Sequence, residues 1–250
     1  MRFFVYIIIM NTALIVEPRI LDNMVSILNH FVNILGNEWN YVFYCGNNSK
    51  KYWETTELDK IYEIRELDVI NFDNSSKYSD FMKSKELWES LSGIFVLTFQ
   101  LDTWILNDSK YTIDYFIQLN KSFIGGNMAY NWIPLLREGI TFEYYNFNGG
   151  LSLRKRLDMI KVIDTFQPKK TIEYPNSHSL ETDAEDVYFV IGCYLLGLPL
   201  GDDEPSTHFS LHTAITEEFF GIHQPTWQNI NVFLNNKYPD LKNKNPYLKL

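Results

Sequence analysis

Two hydrophobic periodicities alternate along the first hundred residues, and no other feature narrows the available folds as much. "ALIV" (13–16) reads as a strand, and the stretch 20–35 places Ile20, Met24, Ile27, Leu28, Phe31 and Leu35 on one helical face. "WNYVFYCG" (39–46) is the next strand, closed by Gly46 and an Asn-rich loop, "NNSKK". A third strand is expected in "IYEIRELDVI" (61–70) and a helix in 80–91; "GIFVLTFQ" (93–100) is the strongest strand of all. A strand-helix-strand order of this kind folds into a mostly parallel sheet, because parallel neighbours need crossover connections that helices supply. The expected fold class is therefore α/β, with an open, mostly parallel, Rossmann-like sheet flanked by helices.

Length and charge bound the rest. The 250 residues suffice for one large α/β domain or two small ones. The formal charge of −9, with its 22 Lys and Arg scattered along the chain, argues against a nucleic-acid surface, since phosphate neutralisation needs a basic face. An anionic ligand would have to be held locally, for instance through a metal. The two cysteines, Cys45 and Cys193, each sit in an apolar-aromatic segment and read as buried thiols in a reducing compartment, which points to the cytoplasm. The opening run "MRFFVYIIIMNTALIV" has some features of a signal peptide, but "ALIVEPR" follows at once as a strand end, so cleavage would cut into the fold. No other segment approaches the ~20 apolar residues of a membrane span.

Chemistry-bearing residues cluster at a few places. "FVLTFQLDTW" (95–104) runs apolar for five positions and then presents Gln100, Leu101 and Asp102. Open α/β sheets bind ligands beyond the carboxyl ends of their strands, where the strand order reverses. An acid at such an end serves either as a turn former or as the holder of a divalent cation that binds a diphosphate. Within 144–163, Gly149 and Gly150 are expected to form a turn leading into a helix capped by Ser152, with Leu157, Ile160 and Ile163 at core spacing. Paired glycines let backbone approach a ligand, and a helix N-terminus behind them favours an anion; a plain tight turn has the same signature. Glu185 and Asp186 stand before an apolar segment, the usual place of first-turn helix acids. His223 lies in "FFGIHQPTW" (219–227), where a lone histidine is more often packed than ligating. The closing stretch 235–250, rich in Asn and Lys, reads as a loosely packed end.

Taken in order, "ALIVEPR", "WESLSGIFVLTFQLDTW", "NGGLSLRKR", "EDVYF" and "FGIHQPTW" resemble a family of largely uncharacterised microbial, fungal and giant-virus proteins with glycosyltransferase-like features, over residues 12 to 227. The order is also similar to the plan of GT-A glycosyltransferases. The resemblance implies a single GT-A-like domain over 1–250, with a nucleotide-binding half over about 1–120, an acceptor half over about 121–227 and a tail over 228–250. By the same likeness Asp102 is a metal-binding acid, with Gln100 where the commoner D-x-D form has its first Asp, and His223 is the distant second ligand. Gly149 and Gly150 become the loop near the donor sugar, and Glu185 and Asp186 the acidic pair whose second member is the base. Two further departures are "SFIGGN" (122–127) for the family's "DYIGAP" and His212 where a Glu is usual.

The reaction so implied transfers a sugar from a nucleoside-diphosphate donor, such as a UDP-sugar, to a hydroxyl of a glycan or glycoprotein, with inversion. Its cofactor would be Mn2+ or Mg2+, and for a viral member the setting is the host cytoplasm. Glu17 would accept a hydrogen bond from base or ribose and Arg19 would meet a phosphate, unless both belong to a helix N-terminus. The competing class is a nucleotide-sugar- or glycan-binding protein that has lost turnover, suggested by Gln100 and "SFIGGN". A two-metal phosphoesterase would want a second acid or His close to Asp102 in sequence, and none is there.

Overall fold

A computed structural model describes residues 10–128, 146–166, 172–173, 179–180, 184–225 and 227–250. The first strand, β1 (Asn11–Val16), is buried on both faces, as suits a near-continuous apolar run at the centre of a parallel sheet. The chain leaves it through α1 (Met24–Leu35), pairs β2 (Trp39–Cys45) against it, and moves outward again through α2 (Lys50–Trp53) and a 3₁₀ turn to β3 (Tyr62–Glu66). It then returns by α3 (Ser75–Met82) and α4 (Lys85–Ser90) to the opposite side of β1, where β4 (Phe95–Phe99) pairs in parallel. The strand order thus reverses between β1 and β4.

Beyond β4 come the short β5 (Thr103–Ile105), α5 (Ile113–Gln118), β6 (Phe123–Gly126) and β7 (Asn148–Lys155). Strand β7 inserts between β4 and β6 and runs antiparallel to both, completing a six-stranded mixed sheet of order β3-β2-β1-β4-β7-β6. Then follow α6 (Arg156–Phe166), a two-stranded pair of β8 (Ile172–Glu173) and β9 (Ser179–Leu180), α7 (Glu185–Leu195) and α8 (Asp203–Phe209). A second small sheet joins β10 (Ser210–Leu211) and β11 (Gly221–His223) to β5, and α9 (Gln228–Lys237) and α10 (Leu241–Lys244) finish the described chain. One apolar cluster, with Phe31, Phe43, Leu97 and Phe99, covers the α1 face of the large sheet; another, with Trp88, Val162 and Phe189, covers the α4, α6 and α7 face. Both cysteines are free and buried, and no helix among the described residues is long and apolar enough to cross a membrane.

The α/β class and the open, largely parallel sheet agree with the sequence reading, while several local expectations need correction. Helix α1 buries Met24, Ile27, Leu28, Phe31 and Leu35 as its period requires, but Ile20 lies outside it and is 48% exposed. The cause is Asn23, whose left-handed φ of 61° prevents the helix from extending toward Ile20. Lys50 and Lys51 begin a helical turn instead of a loop, and the third strand stops at Glu66. The helix expected over 80–91 breaks at Lys83–Ser84, where the Ser84 hydroxyl donates to the Phe81 carbonyl and the Trp88 indole to that of Met82. Gly149 and Gly150 lie inside β7, so Ser152 is a mid-strand residue bonded to Thr98 and caps nothing; the helix starts at Arg156 and leaves Leu157 64% exposed. The closing stretch is not loose either, because Leu241, Asn245 and Leu248 are all buried.

Candidate functional site

The site forms at the carboxyl ends of β1 and β4, where the strand order reverses. Strand β4 ends at Phe99, and the chain turns through Gln100–Asp102 into β5, with the Thr103 N–H donating to the Gln100 carbonyl. Strand β11 pairs antiparallel to β5, placing His223 opposite Thr103, and the Gln224 N–H donates to the Asp102 carbonyl. Residues 121 apart in sequence are thereby set side by side: His223 Nε2 stands 3.5 Å from Asp102 Oδ1. That is longer than a good charge-assisted hydrogen bond. Two donors about 2.1 Å from a common ion at a tetrahedral angle stand about 3.4 Å apart. His223 is only 6% exposed, and neither ring nitrogen makes a hydrogen bond among the described residues. A buried imidazole with both nitrogens unsatisfied beside a carboxylate is a donor set that fits a divalent cation. Among the described residues no third His, Cys, Asp or Glu joins the pair, so the protein would contribute two ligands. Burial works to raise the Asp102 carboxyl, but His223, the residue's own N–H and the Lys249 charge outweigh it and hold the group below its ordinary value.

The two glycines of β7 separate this pair from the acids of α7. Strand β6 pairs Gly125 with Ser152 but Gly126 with Asn148, so the intervening residues of β7 form a bulge. At the bulge the two α-carbons look in different directions. A Cβ on Gly150 would fall 2.1 Å from His223 Nε2, and one on Gly149 would fall 2.7 Å from both Asp186 Cβ and Glu185 Oε1. Glycine is required here for space, since neither residue has a positive φ. The strand is tied to the Asp102 turn as well, through the Gln100 N–H donated to the Gly150 carbonyl at 2.9 Å.

The acidic pair opens α7, as first-turn acids should, but its two members differ. Glu185 forms a bidentate ion pair with Arg154, which is 0% exposed and projects from β7 among the rings of Phe123, Phe189 and Trp88. Asp186 accepts the Gly149 N–H at 3.0 Å through Oδ2 and the Val187 N–H at 2.8 Å through Oδ1. Burial and the neighbouring Glu185 charge push the Asp186 carboxyl up to about 6, against the opposing pull of Val187 N–H, Arg154 and Gly149 N–H. A carboxylate near 6 is well matched to proton transfer at neutral pH.

Glu17 and Arg19 line a cavity of about 530 Å³ together with Tyr78, Gln100, Asp102, Tyr247 and Lys249. They grip each other, both Glu17 oxygens accepting from the Arg19 guanidinium at 2.8 Å, and neither caps a helix, since α1 begins at Met24. Gln100 shares that lining with Tyr78. A larger cavity of about 960 Å³, lined by Asn29, His30, Trp104 and Lys244 among others, lies along α1 and contains none of the residues singled out from sequence.

Two nearby residues escape the sequence reading, and a third, His212, enters it only as a departure from the family's usual Glu. Arg154 is one of three consecutive basic residues, Arg154, Lys155 and Arg156, and only the strand register shows which is buried. His212 stacks on His223 with centroids 5.4 Å apart and donates from Nδ1 to the His223 carbonyl; burial above all holds it neutral, down to about 4. Asn245 lies in a stretch without apolar period, so nothing in the sequence marks it as buried.

The fold and site together define an α/β protein whose polar residues converge on the switch point of a mixed sheet. The chain belongs to the DUF5672 family, described as a protein of unknown function, whose model matches residues 61–224. That span carries Asp102, both glycines, Glu185, Asp186 and His223, but not Glu17, Arg19 or the closing stretch. No curated protein matches the chain.

The glycine contacts give a direct test of the packing. Gly150→Ala should destabilise the protein by about 1–3 kcal/mol, the usual cost of overpacking, because the methyl meets a ring that is itself enclosed. Urea unfolding measures it; a change under 0.5 kcal/mol would show that His223 is free to move.

Proposed function

We propose that the protein is a glycosyltransferase that moves a sugar from a nucleoside-diphosphate sugar, such as a UDP-sugar, to a hydroxyl acceptor on a glycan or glycoprotein. The observation that carries this reading is Asp102, which lines the Glu17–Gln100 cavity, standing 3.5 Å from the buried His223, with the Asp186 carboxyl near 6 across the glycine bulge. Asp102 Oδ1 and His223 Nε2 would hold Mn2+ or Mg2+. When bound, such an ion neutralises the charge that develops on the departing diphosphate. The cavity would receive the nucleotide, and Glu17, oriented by Arg19, offers a carboxylate edge to ribose hydroxyls or a base N–H. The Gly149–Gly150 bulge packs directly between His223 and the acids, which brings the two groups to either side of one strand. Asp186 would accept the proton of the attacking hydroxyl, and a base of that kind, acting opposite the leaving group, gives inversion at the anomeric carbon. Glu185, already paired with Arg154, is assigned to scaffolding. The "SFIGGN" stretch forms β6 beside β7, and residues 129–145 lie outside the described chain.

Asp102→Ala and His223→Ala should each weaken binding of Mn2+ with UDP by at least about tenfold while the protein stays folded. Calorimetry on both variants checks this; wild-type affinity in either would remove that residue from the ligand set. The alternative is a binding protein on the same fold, and Gln100, an amide where a second acid would strengthen metal binding, favours it. Donor binding without transfer or donor hydrolysis, across a panel of nucleotide sugars and acceptors, would support that alternative.

A further inference from the structure

Asn245 sits 142 residues beyond Thr103, yet its side chain is tied to the backbone on both sides of Asp102. It is 0% exposed. Its amide nitrogen donates to the Leu101 carbonyl at 2.8 Å and to the Thr103 carbonyl at 2.8 Å, bracketing the acid, while its oxygen accepts the Tyr247 N–H at 3.0 Å. Carbonyls on either side of a turn that leaves the sheet have no strand partner to fix them, and one amide with two donors fixes both at once. The stretch that brings Asn245 there also lines the cavity with Tyr247 and Lys249, and the Tyr247 hydroxyl donates to the Asp22 carbonyl at 2.6 Å.

We infer that Asn245 is a positioning residue, whose side-chain amide sets the Leu101–Thr103 turn so that the Asp102 carboxylate faces His223. This rests on the donor-site reading for its consequence in binding, but the positioning itself does not. Asn245 lies outside the span that the family model matches, residues 61–224.

The discriminating variant is Asn245→Asp, which keeps the acceptor for Tyr247 N–H and replaces both donated bonds by an oxygen facing two carbonyls. Its control is Leu241→Ala, which removes buried packing from the same stretch while keeping the Asn245 amide and its two donated bonds. Each is compared with wild type by amide hydrogen exchange at Asp102 and Thr103, under conditions of matched global stability, and by calorimetry with Mn2+ and UDP. We expect Asn245→Asp to speed exchange at those amides by at least tenfold and to weaken binding by at least tenfold, with Leu241→Ala within twofold of wild type in both. Equal behaviour of the two variants in exchange would overturn the inference, leaving Asn245 as an anchor for its own segment. Faster exchange with unchanged binding would also overturn it, since the turn would then move without affecting Asp102. If wild type itself does not bind Mn2+ and UDP, the donor-site reading fails, and the exchange comparison alone upholds or overturns the positioning role.

Discussion

Asp186→Asn should lower the rate of sugar transfer by about 100-fold or more while leaving donor affinity nearly unchanged, because an amide cannot accept the acceptor's proton. In energy that is about 2.7 kcal/mol of transition-state stabilisation. The pH dependence adds a second signature. With its carboxyl pushed up to about 6 by burial and by Glu185, wild type should lose activity tenfold per unit below that pH and level off above it, and the Asn variant should lack this limb. Stability moves the other way. A carboxyl whose folded value lies above its unfolded value of 3.8 favours the folded state most below 3.8 and loses that contribution as pH rises through about 6. Relative to the Asn variant, wild type should therefore lose on the order of 3 kcal/mol between pH 3.5 and 7.5. The Asn variant sacrifices one of the two accepted N–H bonds, but that offset is independent of pH. Chemical denaturation at several pH values and initial rates of transfer test both statements. A variant retaining more than a tenth of the wild-type rate would exclude Asp186 as the base.

What the sequence reveals of this site follows from what each residue does locally. Strands β1, β2 and β4 are legible because apolar runs bounded by polar residues have few other uses, and Asp102 is legible because it ends one of them. The meeting of Asp102 with His223 is not a local property, since it depends on β11 pairing with β5, two three-residue strands too short to announce themselves. A glycine pair signals close backbone approach equally well in a turn or in a bulge, and only pairing with β4 and β6 places Gly149 and Gly150 in a strand. The spacing of Leu157, Ile160 and Ile163 predicts a core face, but with α6 starting at Arg156 the buried face is Met159, Val162 and Ile163. Polar residues in the interior are the hardest to see, because Arg154 and Asn245 look in sequence like any solvent-facing side chain.

Arg154→Met should destabilise the protein by about 3–5 kcal/mol, the largest effect expected of any single change away from the apolar core. The guanidinium has Glu185 as its ion-pair partner and donates also to Ser152 Oγ at 2.8 Å and to the Gly149 carbonyl at 3.3 Å. Its removal leaves Glu185, itself buried, as a carboxylate without compensation in an aromatic setting. Glu185→Gln should be damaging for the converse reason, so loss of transfer in that variant alone would say little about catalysis. The pair replaced together is more informative. Arg154→Met with Glu185→Leu removes both charges, and such exchanges are often neutral, so the double variant should regain most of the stability lost by either single change. If Glu185 serves only to hold the bulge and Asp186 in place, the refolded double variant should transfer sugar within about tenfold of wild type. A stable double variant that has lost 100-fold or more would instead make Glu185 a participant in the reaction, with Arg154 orienting it. Thermal unfolding together with transfer rates for the two single variants and the double distinguishes these outcomes.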